Sequence, residues 1–217
     1  ASQRLADGNW ADLPITREAL EVLQKYHESI ADAGVMPSPD CLTVEQHERL
    51  FILNYPGGSR LNRTIGMIVT AMLTAKSGYK IGFQFDPYRI ILDVPARTTV
   101  KDLLAILKGF VPEVGSLLRF AIKDSPSLKP QLLHSARKMG AIAPDADIGK
   151  FGMKKLMEAY SDTPLYTEAV ERFLFHQLDE SGMEKFIRQI NLGEIDVKLS
   201  PKTPHGYAGL DPYRDYL

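Results

Sequence analysis

Residues 55–67 read YPGGSRLNRTIGM, a glycine pair followed by polar and basic residues that run into an apolar stretch. Such a segment suits either a phosphate loop at a helix start or a tight turn from strand to helix. A Walker-type loop needs GxxxxGK[ST], with a lysine for the terminal phosphates and a hydroxyl for magnesium. Here Gly57 and Gly58 are followed by Ser59, Arg60, Leu61 and Asn62, so the second glycine, the lysine and the hydroxyl are missing. A dinucleotide fingerprint needs parallel flanking strands, and the strands flanking this helix read as antiparallel. Two readings remain. One is a plain glycine turn; the other is a helix start whose amides, with Arg60, Asn62 or Arg63, offer contacts to one nucleic-acid phosphate.

The remaining reactive residue types do not assemble into a catalyst. The five histidines are scattered, with no HExxH and no pair at ligand spacing, so no metal site is expected. Cys41 is the one cysteine, which excludes an internal disulfide and a cysteine-based metal cluster and fits a reducing, cytoplasmic compartment. No base lies near it in sequence. LDESG at 178–182 carries a DE dipeptide without a Walker B strand and reads as a loop between helices. No serine sits in a nucleophile elbow. The expectation is no catalytic residue and no bound cofactor in this chain, leaving a small independent enzyme as the least favoured alternative.

The basic residues point elsewhere. In LKPQLLHSARKMGAI, Leu128, Leu132, Leu133, Ala136 and Met139 form an apolar helix face. His134 and Lys138 then stand one turn apart on another face, with Arg137 beside them. GKFGMKKL adds Lys150 and Lys154 at four-residue spacing, plus Lys155. This is a solvated basic face or a strip that tracks a phosphate backbone. Trp10, the only tryptophan, lies in a polar segment and reads as a core or interface anchor, or as a platform for a stacked base.

The elements that must position these residues are legible from periodicity. A first helix runs through Ile15, Ala19, Val22, Leu23, Tyr26 and Ile30. CLTVEQ and RLFILNY read as strands joined by a charged turn, followed by a helix from about Leu61 to Lys76 that Gly78 stops. YKIGFQF and RIILDV are two more strands around a DPY turn, in which the aspartate caps the bend. After Pro95 come only helices: Val100–Phe110, Val114–Ile122, Leu128–Met139, Phe151–Tyr160, Tyr166–Leu178 and Met183–Leu192, with EIDVKL as a possible returning strand.

The fold class is therefore α+β, a small antiparallel sheet (strand-strand-helix-strand-strand) followed by a helical bundle. Residues 1–97 would hold the first helix and the sheet, 98–200 the helical part, and 201–217 an extended arm. A formal net charge of −1 gives no global pull toward nucleic acid, so any such contact must be local. The longest uncharged apolar run, Ile65 to Ala75, is too short to span a bilayer, so no membrane partner is expected. The opening ASQRLADGNW reads as the middle of a longer polypeptide.

Several stretches together resemble the large helicase-related (Lhr) proteins of helicase superfamily two. LFILNYPGGSRLNRTIGMIVTAML resembles their strand-glycine-arginine-x-asparagine-helix signature, and GYKIGFQFDPYRIIL the strand pair that follows. LLHSARKMGAI is similar to their His-x-Ala-Arg-basic-x-Gly helix, and DTPLYTEAVERFLFHQLDESGMEKFIRQINLGEIDV to their closing helices. The likeness covers roughly residues 40–200, the DEAD/H-associated domain that follows two motor domains and a winged helix.

The resemblance implies an accessory C-terminal domain of an ATP-dependent helicase, with ATP and magnesium held on motor domains of the same parent chain. The implied partners are those motor domains, the winged helix, and single-stranded DNA or a DNA:RNA hybrid. The resemblance identifies no individual contact; the candidates read from the residues are Trp10 for stacking, and Arg60, Asn62, Arg63, His134, Arg137, Lys138, Lys150 and Lys154 for phosphates. The rival expectation is a structural or protein-interaction domain that packs on the motor without touching DNA.

Overall fold

Alternating apolar residues build the sheet. Strands β1 (Cys41–His47) and β2 (Leu50–Asn54) pair antiparallel in a register that sets Val44 opposite Leu53. Strand β4 (Arg89–Asp93) pairs with β2, setting Ile90 opposite Leu53 and Leu92 opposite Phe51, and β3 (Gly82–Phe85) closes that edge. One face thus collects Leu42, Val44, Phe51, Leu53, Ile90 and Leu92, all buried. The other face carries buried Ile52 and Ile91 beside a polar group, in which Asn54 Nδ2 donates to Glu45 Oε1 at 2.7 Å and Thr43 Oγ1 at 3.3 Å. A computed structural model describes residues 15–31, 35–109, 113–123, 125–143, 145 and 153–200. Trp10, Lys150 and the expected arm 201–217 lie outside these described residues.

Helix α2 (Gly58–Ser77) crosses the apolar face of the sheet. Its residues Ile65, Gly66, Met67, Ile68 and Val69 are buried in succession, so it is covered on several sides. It packs on β3 and β4 and, beyond them, on α3 (Val100–Lys108), α4 (Val114–Lys123) and α8 (Glu180–Asn191). Gly66 permits the close approach to the sheet, because a Cβ there would stand 2.4 Å from Phe83 Cδ2. Gly78, at φ 74°, ends the helix in the left-handed conformation that favours glycine. The remaining helices are α5 (Lys129–Lys138), α6 (Met153–Tyr160) and α7 (Pro164–Gln177), with α5 packed along α7 and touching α6. Helix α1 (Arg17–Ala31) forms as its spacing predicts, yet Ile15 and Val22 are 40% and 68% exposed.

The α+β class holds, with two differences from the sequence expectation. EIDVKL does return, as β5 (Asp196–Leu199), and it runs parallel to β1, giving the order β3-β4-β2-β1-β5. The sheet is therefore mixed rather than antiparallel, because a chain that arrives from the helical layer can enter the β1 edge in either direction. Of LDESG, only Leu178 and Asp179 form the loop between the two helices: α8 starts at Glu180, and Asp179 caps it by accepting from the Gly182 N–H at 2.9 Å. One apolar core, including Leu53, Ile68, Leu107, Leu118, Phe173 and Phe186, runs across the boundary expected near residue 97. No described helix is long and apolar enough to cross a membrane.

Candidate nucleic-acid interface

The segment GGSRLNR joins β2 to α2, and its side chains turn inward. Asn62 has no exposed surface; its Nδ2 donates to the carbonyls of Tyr55 at 3.0 Å and Asp86 at 2.9 Å. It ties the end of β2 to the β3–β4 turn. Asn62 Oδ1 is buried without a hydrogen-bond partner among the described residues and faces Gly57, where a Cβ would lie only 2.6 Å away. Gly57 is thus required for room, and Gly58, at φ 80°, for its backbone. The neighbouring Asp86 caps its own turn, its Oδ1 accepting from the N–H groups of Tyr88 at 2.8 Å and Arg89 at 3.0 Å.

The two arginines of the segment are engaged by α7. Arg60 donates through Nε to the Leu178 carbonyl at 3.1 Å and through Nη2 to the Phe175 carbonyl at 2.8 Å, with a further Nη2 bond to Leu178. Those carbonyls end a helix and have no partner further along it, so a cation there is favourable. Arg63 stacks on Phe173 at 4.9 Å and Phe85 at 5.6 Å from ring centroids, while Nη1 donates to Gln177 Oε1. Burial lowers its pKa from the usual guanidinium value. Arg60 keeps an exposed flank, whereas Asn62, with no exposed surface, serves as a strut between the two carbonyls.

Helix α5 presents the opposite arrangement. Leu132, Ser135 and Ala136 are buried, while His134, Arg137 and Lys138 are exposed and make no ion pair with any described residue. Gly140, at φ 72°, ends the turn that follows. Because α5 touches α6, this face stands on the helix beside the one that carries Lys154 and the exposed Lys155. Lys154 has its backbone alone described.

Residues 36–205 match the family described as DEAD/H associated. The chain belongs to the DEAD/H associated family. Among curated proteins none matches it in sequence. Its fold is similar to that of Mycobacterium smegmatis helicase Lhr, solved bound to ssDNA and AMP-PNP, with a TM-score of 0.65 and 18% identity over 90% of this chain. The match spans 29% of that helicase chain, and at this identity the likeness is one of fold.

Within this DEAD/H associated chain, the sequence-predicted residues separate into an internal group at the β2–α2 turn and an outward group on α5. Cys41 sits half-buried at the β1–β5 edge beside Asp40, Asp196 and Lys198. Burial pushes its thiol pKa up; Lys198 opposes that, and the two aspartates add to it. This disfavours the thiolate that a nucleophile requires. No cluster of three or more His, Cys, Asp or Glu that could hold a metal occurs among the described residues. Sequence reasoning missed the exposed Phe120 and Phe175, at 66% and 75%, and a cleft at the far end of α2. Phe175 escaped notice because it sits in an apolar run that reads as core.

Proposed function

We propose that this chain is the accessory C-terminal domain of an Lhr-type helicase, a wall that lies against a single strand while motor domains of the parent chain hydrolyse ATP. The observation that carries this reading is the exposed trio His134, Arg137 and Lys138 on α5, in a chain of the DEAD/H associated family. The fold likeness to a helicase solved with ssDNA supports it. A cationic face next to a rigid core needs no catalytic group of its own; it contributes phosphate contacts and displaces counterions. Arg137 and Lys138 also sit in the last turn of α5, where cations favour the helix end, so their presence alone does not require a strand.

The test is Arg137→Glu with Lys138→Glu in the parent helicase, measuring single-strand affinity at several salt concentrations. Each lost phosphate contact should reduce the slope of log affinity against log salt by about 0.7, the single-strand value. An unchanged slope and affinity would remove α5 from the interface.

The exposed Phe120 and Phe175 favour a second reading, a domain that packs on the motor without touching the strand. On that reading Phe120→Asp and Phe175→Asp impair unwinding while strand affinity holds.

A further inference from the structure

A cleft of about 220 Å³ opens between the end of α2 and the start of α3. Helix α2 has 20 residues and spans about 30 Å, so this cleft lies at the opposite end of it from the turn that Arg60 and Asn62 hold. Its floor is apolar: Leu73 is 1% exposed, and Pro95 forms a wall. Tyr79 stands at the rim just after the left-handed stop at Gly78, and is 54% exposed. Its backbone N–H donates to Ser77 Oγ at 3.2 Å, which fixes where the ring begins.

The polar side of the cleft is partly preset. Lys76 Nζ meets Asp102 Oδ1 at 2.6 Å, and Asp102 Oδ2 accepts from Thr99 N at 2.8 Å and Oγ1 at 2.7 Å. That network holds the ammonium in place and joins α2 to α3. Arg97, also in the lining, is exposed and makes no hydrogen bond or ion pair with any described residue. Thr98 lines the cleft as well, and its Oγ1 is buried with no partner among the described residues.

An apolar floor, an aromatic rim and two cations against one carboxylate match a flat ring that carries an anionic group. The volume is below the roughly 300–1,000 Å³ of pockets that enclose a drug-sized molecule. It admits one base and its phosphate, not a whole dinucleotide. We propose that this cleft receives a single nucleotide unit, its base laid on Tyr79 over Leu73 and Pro95 and its phosphate held by Arg97. Stacking on an aromatic ring tolerates any base, and the planar guanidinium grips a phosphate through two parallel bonds. The inference rests on the reading of this chain as a single-strand contact, and would add a second contact point distinct from α5.

The 217-residue chain is titrated at low salt with a single strand that carries a fluorescent purine quenched by stacking, and in parallel with the same purine as a free monophosphate. Tyr79→Ala should abolish the quench and weaken binding about tenfold, with Tyr79→Phe restoring both. Arg97→Ala should flatten the single-strand salt slope by about 0.7. Quenching by the free monophosphate assigns the cleft to mononucleotides, and quenching in the strand alone assigns it to a strand; either supports the site. The double reversal at Arg137 and Lys138 runs alongside. If it weakens binding while the Tyr79 and Arg97 variants match wild type in quench and slope, the cleft is overturned and the α5 contact stands. If the wild-type chain binds neither ligand at low salt, the cleft is overturned, and the strand reading is decided separately by the Arg137 and Lys138 variants in the parent helicase.

Discussion

The β2–α2 turn and the outer face of α5 contain the same kinds of residue, and the fold uses them in opposite ways. At the turn, Arg60 and Arg63 meet carbonyls, an amide and two rings of α7 and β3, and Asn62 is sealed between two backbone carbonyls. On α5, His134, Arg137 and Lys138 face solvent with no ion partner among the described residues. The difference lies in what stands opposite. The end of α7 arrives at the turn with carbonyls that have no helical partner, and a guanidinium satisfies several of them at once. Among the described residues, nothing comparable confronts the exposed face of α5. A basic residue beside a glycine turn is thus a fastening, whereas a basic residue on an open helix face is free to meet a partner.

Mutations can break this contrast, starting with the strongest. Asn62→Asp should cost about 3 kcal/mol or more, since it removes both donors and places a buried charge against two carbonyls. A denaturant midpoint reads the loss. Gly57→Ala follows at about 1–3 kcal/mol, because the added methyl would lie 2.6 Å from Asn62 Oδ1 and 2.9 Å from Tyr55 Cδ1. Arg60→Ala should cost about 1–2 kcal/mol and speed amide exchange at the end of α7, with Arg60→Lys failing to restore it. If these three variants stay stable and lose strand affinity instead, the contrast is wrong.

By comparison, Arg137→Glu with Lys138→Glu should leave stability within about 0.5 kcal/mol, as expected for exposed positions, while altering salt-dependent binding. The smallest effect concerns acid. The hydrogen bond from Lys76, then those from Thr99, hold the Asp102 carboxyl well below the usual carboxylate range in the folded state. A depressed folded pKa contributes stability above the unfolded pKa of about 3.9 and loses it as pH falls. Asp102→Asn should therefore show a shallower loss of stability below about pH 4 than the wild type. Equal acid slopes would dismiss the Lys76–Asp102 link as a contributor.

Much of the fold was legible because local rules agree with it. The alternation in RLFILNY and RIILDV, the stop at Gly78 and the cap at Asp86 each follow from a few adjacent residues. The direction of β5 was not legible, since a period of two identifies a buried face and carries no information on how a neighbour runs. The start of α8 had its signal in Asp179 followed by Glu180, an N-cap and an acidic first turn, which the resemblance to a DE motif obscured. The candidate site divided for a similar reason. Charge and spacing pick out Arg60 and Arg137 alike, and only the placement of α7, over a hundred residues later in the chain, separates them.

The parallel pairing of β5 with β1 has a further consequence. Cys41 lies beside Asp196, so nearly every helix is threaded between two neighbouring strands of one sheet. The last few described residues thus act as a clasp on everything before them. A product shortened ahead of Ile195 should leave the β1 edge bare and inclined to pair with other copies, and ribosomal synthesis must run almost to the end of β5 before the sheet can close.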